Sequence, residues 1–511
     1  MADSCTVART RSATLAEGLR CGTCHTGSVN LANVITGHDG GRTALVDGDR
    51  EVDYGQLRDL VARLRIQLAG RGVSPGDVVA LACGNEVHFA TASLAVLGLG
   101  AIVMPLNPSS TESEFTSKVE SGDARLVLVG QFGRRQLDLA DRIDVELVDL
   151  DVLESDGADL DPSTAPAIVD RDPSDPAFFM ATSGVSGTPK IAVLSHANLD
   201  WVQGALETTA DPLSADDVLL GVLPFVHIFG LNVVLLYALR AGACVVLQRR
   251  FDADESLELV RRHGVTLLTG APPMWYRWAE ADVSDDTLAT VRWGASGAAA
   301  LPLGTFEKIK ERFGLEISQG YGLTETSPVV TTGRGAPIRP SSVGRILDGV
   351  TVALVDSSGE PVDVGDEGEI VVRSPGVFQG YYGDEAATDS VLTDDGWLWT
   401  GDVGIFDDDG YLYLVDRIKD VVIVSGFNVY PAEVESVLMK HPKVNGAIVT
   451  GQEHVETGEM VVAHVTGDAT EEELTEFVEH HLSRYKRPTR YHFLDELPIA
   501  ATGKAIRRAL R

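Results

Sequence analysis

The sequence predicts a mixed α/β chain, with a large α/β part of several subdomains at its amino end and a small α+β unit at its carboxyl end. Three observations carry that expectation. Through residue 330, apolar strand-like runs such as VVALAC, AIVMPL and ARLVLVG alternate with amphipathic helical stretches, as in sheets buried by helices on both faces. A β-rich block (VTVALVD, GEIVVRS, GYLYLVD) then fills the region from about 343 to 416. After Asp416-Arg417-Ile418-Lys419-Asp420 the character changes to a short strand–helix–strand–strand–helix pattern. The expected organisation is an extension over 1–28, a large domain over 29–417 and a small domain over 418–511.

Composition narrows the class. The chain has 511 residues, 44% hydrophobic and 23% charged, which is globular usage and excludes a disordered or fibrous protein. Its formal charge of −33 argues against nucleic acid bound over the whole surface, because phosphates would be repelled. Five scattered cysteines (Cys5, Cys21, Cys24, Cys83 and Cys244) form no disulfide framework. Cys21-Gly22-Thr23-Cys24-His25 matches the c-type haem attachment pattern, but no export segment or haem pocket accompanies it, so no haem is expected. The uncharged run from Phe89 to Leu106 approaches spanning length. Thr91, Ser93, Gly98, Gly100 and Pro105 punctuate it, so it reads as a buried helix followed by a buried strand. The expectation is a cytoplasmic protein without a transmembrane segment.

Individual elements follow from spacing. Leu57, Leu60, Val61, Leu64 and Leu68 recur at helical intervals, with Gly70 and Gly72 as the stop. Residues 153–175 are acidic and proline-containing and read as a surface connection. In the carboxyl-terminal unit, VVIVSG, GAIVTG and MVVAHV read as strands, and PAEVESVLMKH and EEELTEFVEHHLSRY as helices.

The chemistry concentrates in Phe178 to His196, FFMATSGVSGTPKIAVLSH. A strand enters Thr182-Ser183-Gly184-Val185-Ser186-Gly187-Thr188-Pro189-Lys190 and another leaves it. Glycines admit an anion close to the backbone, hydroxyls and N–H groups donate to phosphate oxygens, and the lysine adds charge. A plain Gly/Ser turn is the alternative. The loop lacks the Gly-Lys-Ser/Thr ending of a P-loop.

This segment resembles the phosphate loop of the acyl-adenylate-forming superfamily of acyl-CoA synthetases, aryl-CoA ligases, adenylation domains and luciferases. Four more stretches match in order: Ser318-Gln319-Gly320-Tyr321-Gly322-Leu323-Thr324-Glu325-Thr326, then Trp399-Thr400-Gly401-Asp402, the stretch Asp416 to Asp420, and Leu497-Pro498-Ile499-Ala500-Ala501-Thr502-Gly503-Lys504. Five ordered motifs are specific where one alone is not.

The resemblance implies the roles. Thr182, Ser183, Gly184, Val185, Ser186, Gly187 and Lys190 hold the β- and γ-phosphates of ATP. Gln319, Gly320, Tyr321 and Gly322 form the adenine segment, with Tyr321 stacked on the base. Thr324 touches the α-phosphate and Glu325 holds Mg²⁺. Asp402 binds the ribose with Arg417 beside it; a turn aspartate is the bland reading of Asp402. Lys504, by itself a solvated lysine, bridges the acid's carboxylate and the α-phosphate. His227, which alone reads as a satisfied core histidine, is a gate between the acid pocket and the thiol channel. The acyl pocket takes His227, Gly297 and Ala298. The small domain is hinged at Lys419, and its second arrangement presents Ser425, Gly426 and Phe427 to coenzyme A. The chain departs from the family at Val185, Ile191 and Ala500, none of which removes a charged group.

The expected reaction joins a carboxylic acid to ATP, giving acyl-AMP and pyrophosphate, and then to coenzyme A, giving acyl-CoA and AMP. The segments VHIFGLNVV and RWGASGAA are apolar, with no obvious fixed cation for a second carboxylate, which favours a fatty acid or other hydrophobic acid and a place in lipid metabolism. Trp293 either shortens the acyl tunnel or belongs to the core. An aryl or short-chain acid, a carrier protein as thiol acceptor, a homodimer, a luciferase-like oxygenase and a non-catalytic acyl-nucleotide sensor stay open as alternatives.

Overall fold

The computed structural model describes residues 29–182, 190–417, 422–424, 427–454, 458–482, 484–499 and 507–510. Among them the strands form four sheets. The largest runs Arg345–Ile346, Thr331–Thr332, Ile317–Tyr321, Trp293–Ser296, Leu267–Gly270, Val218–Gly221, Cys244–Leu247, Thr43–Asp47, Arg50–Asp53. Its six central strands, from Ile317–Tyr321 to Thr43–Asp47, are parallel and its edges antiparallel. A second sheet orders Glu146–Asp149, Leu126–Val129, Val78–Ala82, Ile102–Pro105, Pro176–Thr182, Lys190–Ser195, parallel until the last antiparallel pair.

The helix Tyr54–Gly70 shows why these sequences fold locally as they do. Asp53 and Gln56 form a reciprocal capping box at its start, and Tyr54, Leu57, Val61, Leu64 and Leu68 are buried along one stripe. Leu60 packs partly buried at the edge of the same core. The run from Phe89 to Leu106 is the wholly buried helix Val87–Gly98 and the buried strand Ile102–Pro105, joined through Gly100 at φ +74°. No helix among the described residues is long and apolar enough to cross a membrane. One expectation is corrected. The supposed connection at 153–175 begins inside a helix, Leu150–Asp156, which buries Leu150 and Leu153. Its acidic exposed face hid those two anchors.

The β-rich block is an antiparallel sheet of Thr351–Val355, Gly368–Arg373, Leu398–Phe406 and Leu412–Arg417. The residues after it build their own sheet: Phe427–Val429, Val422–Val424, Gly458–Gly467 and Val444–His454, with Arg490–Phe493 added in parallel to Gly458–Gly467. Helices Pro431–Leu438 and Glu471–His481 cover it, and Val434, Leu438, Val449, Ala463, Leu474 and Val478 close a separate core. The chain is thus a large α/β domain followed by a smaller α+β domain.

Candidate active site

The ends of the proposed phosphate loop are fixed by strand pairing. Thr182 and Lys190 face each other across the antiparallel strands Pro176–Thr182 and Lys190–Ser195, and the Thr182 hydroxyl donates to the Lys190 carbonyl at 3.3 Å. Ser183, Gly184, Val185, Ser186 and Gly187 lie outside the described residues. Residues 379–382 are laid along the outer strand, with Val193 N donating to Gly380 O and Gln379 N to Val193 O, both at 3.0 Å, and Tyr382 N donating to Ile191 O at 2.8 Å. That pairing carries the Tyr381 ring under the Lys190 ammonium, 4.8 Å from the ring centroid.

The same tyrosine reaches the segment after Tyr321. Its hydroxyl donates to Glu325 Oε1 at 2.7 Å, and Phe378 N donates to the Glu325 carbonyl at 2.9 Å. Burial, with the Glu325 charge adding, raises the Tyr381 pKa, so the phenol stays a proton donor. Glu325 sits in the short turn Thr324–Thr326, whose geometry requires Gly322: a Cβ there would lie 1.5 Å from the Pro328 carbonyl oxygen. A loop cation, a carboxylate and a neutral donor from three separate segments therefore meet at one place. The sequence reading named Lys190, Thr324 and Glu325 and missed Tyr381, which stands in FQGYYG without charge or periodic signal.

The expected nucleoside end is a second junction. Tyr321 donates its hydroxyl to Asp402 Oδ2 at 2.8 Å, and both are nearly buried. Thr400 shapes the turn: its hydroxyl donates to Ile370 O at 2.8 Å and accepts from Asp402 N at 3.1 Å. The backbone of Arg417 pairs with Asp402 in register. Gln319 spends its side-chain oxygen on Leu301 N at 2.8 Å, tying the strand Ile317–Tyr321 to the loop after Trp293–Ser296. Gly320 lies on that strand against Thr331, where a Cβ would sit 3.1 Å from the Thr331 oxygen.

At the expected acyl end, His227 precedes a wide π-type helix, Phe229–Leu236. Burial, with Lys118 adding, pushes its pKa down to about 4, so it is neutral near pH 7. Gly297 follows the strand Trp293–Ser296 and lies under Phe229, whose Cε1 would be 2.9 Å from a Cβ there. Ala298 holds φ at +71°, a left-handed conformation that strains any residue with a side chain. Gly297, Ala298 and Tyr321 stand at the carboxyl ends of parallel strands, where open α/β sheets bind ligands.

Lys504, Lys419, Ser425 and Gly426, like Cys21 to His25, lie outside the described residues; Phe427 is described only as backbone in Phe427–Val429. No group of three or more His, Cys, Asp or Glu side chains among the described residues suits a metal. A cavity of about 440 Å³ lined by Arg50, Arg63, His88 and Glu154 contains none of the motif residues.

The profile of the family described as AMP-binding enzyme matches residues 33–382, and that of the AMP-binding enzyme C-terminal domain matches 433–504. A 4-coumarate–CoA ligase of Pinus taeda is 32% identical over 493 residues, covering 92% of this chain and 91% of that protein. The crystal structure of ATP-bound MatB from Rhodopseudomonas palustris superposes with a TM-score of 0.89 at 30% identity, covering 95% of this chain and 98% of that one. The o-succinylbenzoate coenzyme A synthetase of Bacillus subtilis, in complex with ATP and magnesium ion, gives 0.83 at 28% identity, with 95% and 100% covered.

Proposed function

The chain belongs to the AMP-binding enzyme family, as an AMP-forming acid–thiol ligase of the acyl-adenylate-forming superfamily, and from that premise we propose that it converts an aromatic carboxylic acid into its coenzyme A thioester. The names of the relatives support an aromatic acid, so the fatty-acid preference and its place in lipid metabolism give way to the aryl alternative. The observation that carries the chemistry is the junction of Lys190, Tyr381 and Glu325 at the base of the phosphate loop.

In the first half-reaction a carboxylate oxygen attacks the α-phosphorus of ATP and pyrophosphate leaves. Two anions must approach, so fixed cations and donors are needed where charge builds. Lys190 and the loop hydroxyls hold the terminal phosphates. Glu325, oriented by Tyr381, would hold Mg²⁺, and that ion when bound would supply positive charge to offset the phosphates. Asp402 holds the ribose, and Tyr321 sets its carboxylate while lying against adenine. Lys504 brings a cation to the attacking carboxylate and the α-phosphate. In the second half-reaction the coenzyme A thiol attacks the acyl carbon and AMP leaves. The small domain turns about Lys419, withdrawing Lys504 and presenting Ser425, Gly426 and Phe427 beside the thiol channel. Neutral His227 separates the channel from the acid pocket without adding a charge.

Acid-dependent pyrophosphate release tests this reading. The panel holds cinnamic and benzoic acids and straight-chain acids of graded length, with coenzyme A present. The highest kcat/KM is expected with an aromatic acid. A straight-chain acid that exceeds every aromatic one by more than about tenfold would overturn the substrate assignment.

A further inference from the structure

Arg334 is the residue that neither the motifs nor the reaction accounts for. It is only 6% exposed, yet its Nε and Nη2 have no hydrogen-bond partner. Its guanidinium lies over the Trp293 indole, 4.5 Å from the ring centroid. The nearby carboxylates are committed elsewhere: Arg292 binds Asp211 at 2.5 Å and Asp217 at 2.9 Å. A buried guanidinium is ordinarily satisfied, because its five donors are costly to strip of water.

Its position relates it to the acyl end. Trp293 and Ala295 alternate along the strand Trp293–Ser296 and so share a face, and Gly297, just past the strand's end, lies under Phe229. Thr269 stands beside Ala295 in the neighbouring strand, and its hydroxyl is also buried without a partner. The wide helix Phe229–Leu236 begins at the Gly297 end of this face. Ala295 and Thr269 thus give small side chains to a strip of sheet that runs from Gly297, under Phe229, to Trp293 and Arg334. Four residues of extended strand give it a length of about 13 Å.

We propose that Arg334 binds an acceptor oxygen at the far end of the acid, a second carboxylate best of all, and so sets specificity for acids of about that length. The proposal rests on the acyl-activating reading above and deepens it. A guanidinium fork takes a carboxylate through two parallel hydrogen bonds, and a site left with unpaired buried donors rejects the analogue that lacks the oxygen. Trp293 then serves as the floor that holds the guanidinium flat.

The test compares acids that differ only at the far end. One set is 4-carboxy-, 4-hydroxy- and 4-methylcinnamic acid, and the other is nonanedioic and nonanoic acid. Acid-dependent pyrophosphate release gives kcat/KM for each. In the wild type the carboxylate-bearing acid should exceed its methyl-ended counterpart by at least about tenfold, with the 4-hydroxy acid between. Arg334→Met keeps an apolar stem on Trp293 and should collapse that ratio toward one, whereas Arg334→Lys should keep part of it. Equal wild-type rates across both sets, or ratios unchanged in Arg334→Met in both, would overturn the assignment and leave the acyl-activating reading standing. An Arg334-dependent ratio in the straight-chain set alone would support Arg334 and overturn the aromatic substrate. No pyrophosphate release with any of the five acids would overturn both.

Discussion

The Tyr381 hydroxyl donates to Glu325 Oε1 at 2.7 Å, joining residues far apart in the chain. The ring of the same tyrosine lies beneath the Lys190 ammonium, so one side chain contacts both the proposed magnesium carboxylate and the proposed phosphate-binding cation. Tyr381→Phe removes the hydrogen bond and keeps the ring. A hydrogen bond to a charged group contributes about 1.5–3 kcal/mol, so adenylation should fall roughly 10- to 100-fold. The loss should appear mainly as a higher magnesium requirement, read as pyrophosphate release across a magnesium titration. An unchanged titration curve would mean that Tyr381 ties strands together and does no more.

Asp402 and Tyr321 form the matching hydrogen-bonded pair at the proposed nucleoside end. Asp402→Asn keeps the shape and removes the charge. It should raise the KM for ATP and lower adenylation by about 100-fold, while Tyr321→Phe should cost less than that. An Asp402→Asn enzyme with an ordinary KM for ATP would refute the ribose assignment.

Lys504 is proposed to act in the first half-reaction alone. Lys504→Ala should abolish acyl-AMP formation, a loss of about 3 kcal/mol or more, and leave thioester formation from supplied acyl-AMP largely intact. Equal damage to both steps contradicts a lysine that swings away.

Lys419→Pro fixes φ at the proposed hinge. Adenylation should survive in a single turnover, and transfer to coenzyme A should drop by at least about 100-fold. Normal thioester turnover would show that Lys419 is no pivot.

His196 provides a pH prediction. It is fully buried, accepts from Leu31 N through Nδ1 at 3.2 Å, and burial pushes its pKa down to about 4. Because the unfolded chain binds this proton at higher pH, its contribution is fully present above the ordinary histidine value of about 6.5 and is lost as pH falls toward 4. The change amounts to about 3 kcal/mol. Denaturant melts between pH 7 and 4 should follow that slope, and His196→Gln should flatten it; identical slopes would discount His196.

Much of this was legible in the sequence because it rested on periodicity and motif order. Leu57, Val61, Leu64 and Leu68 announce their helix, whereas the close approach of the Pro328 carbonyl to Gly322 is visible only in the structure. Tyr381 was not legible. Its place follows from residues 379–382 pairing with a distant strand, a tertiary fact with no local signature. Arg334 was hidden differently: in TTGRGAP it reads as a solvated turn arginine, and only Trp293 packed against it makes it a buried one. Leu150 and Leu153 were masked by the acidic residues around them.

The central claim is that the acid is activated by its own carboxylate attacking the α-phosphorus. The most direct test labels both carboxylate oxygens of a turned-over acid with ¹⁸O and analyses every phosphate-containing product by mass spectrometry. Attack at the α-phosphorus followed by thiol transfer leaves one labelled oxygen in AMP, none in pyrophosphate and the other in the acyl-CoA. Label in inorganic phosphate with ADP as coproduct, or AMP without label, would contradict the account.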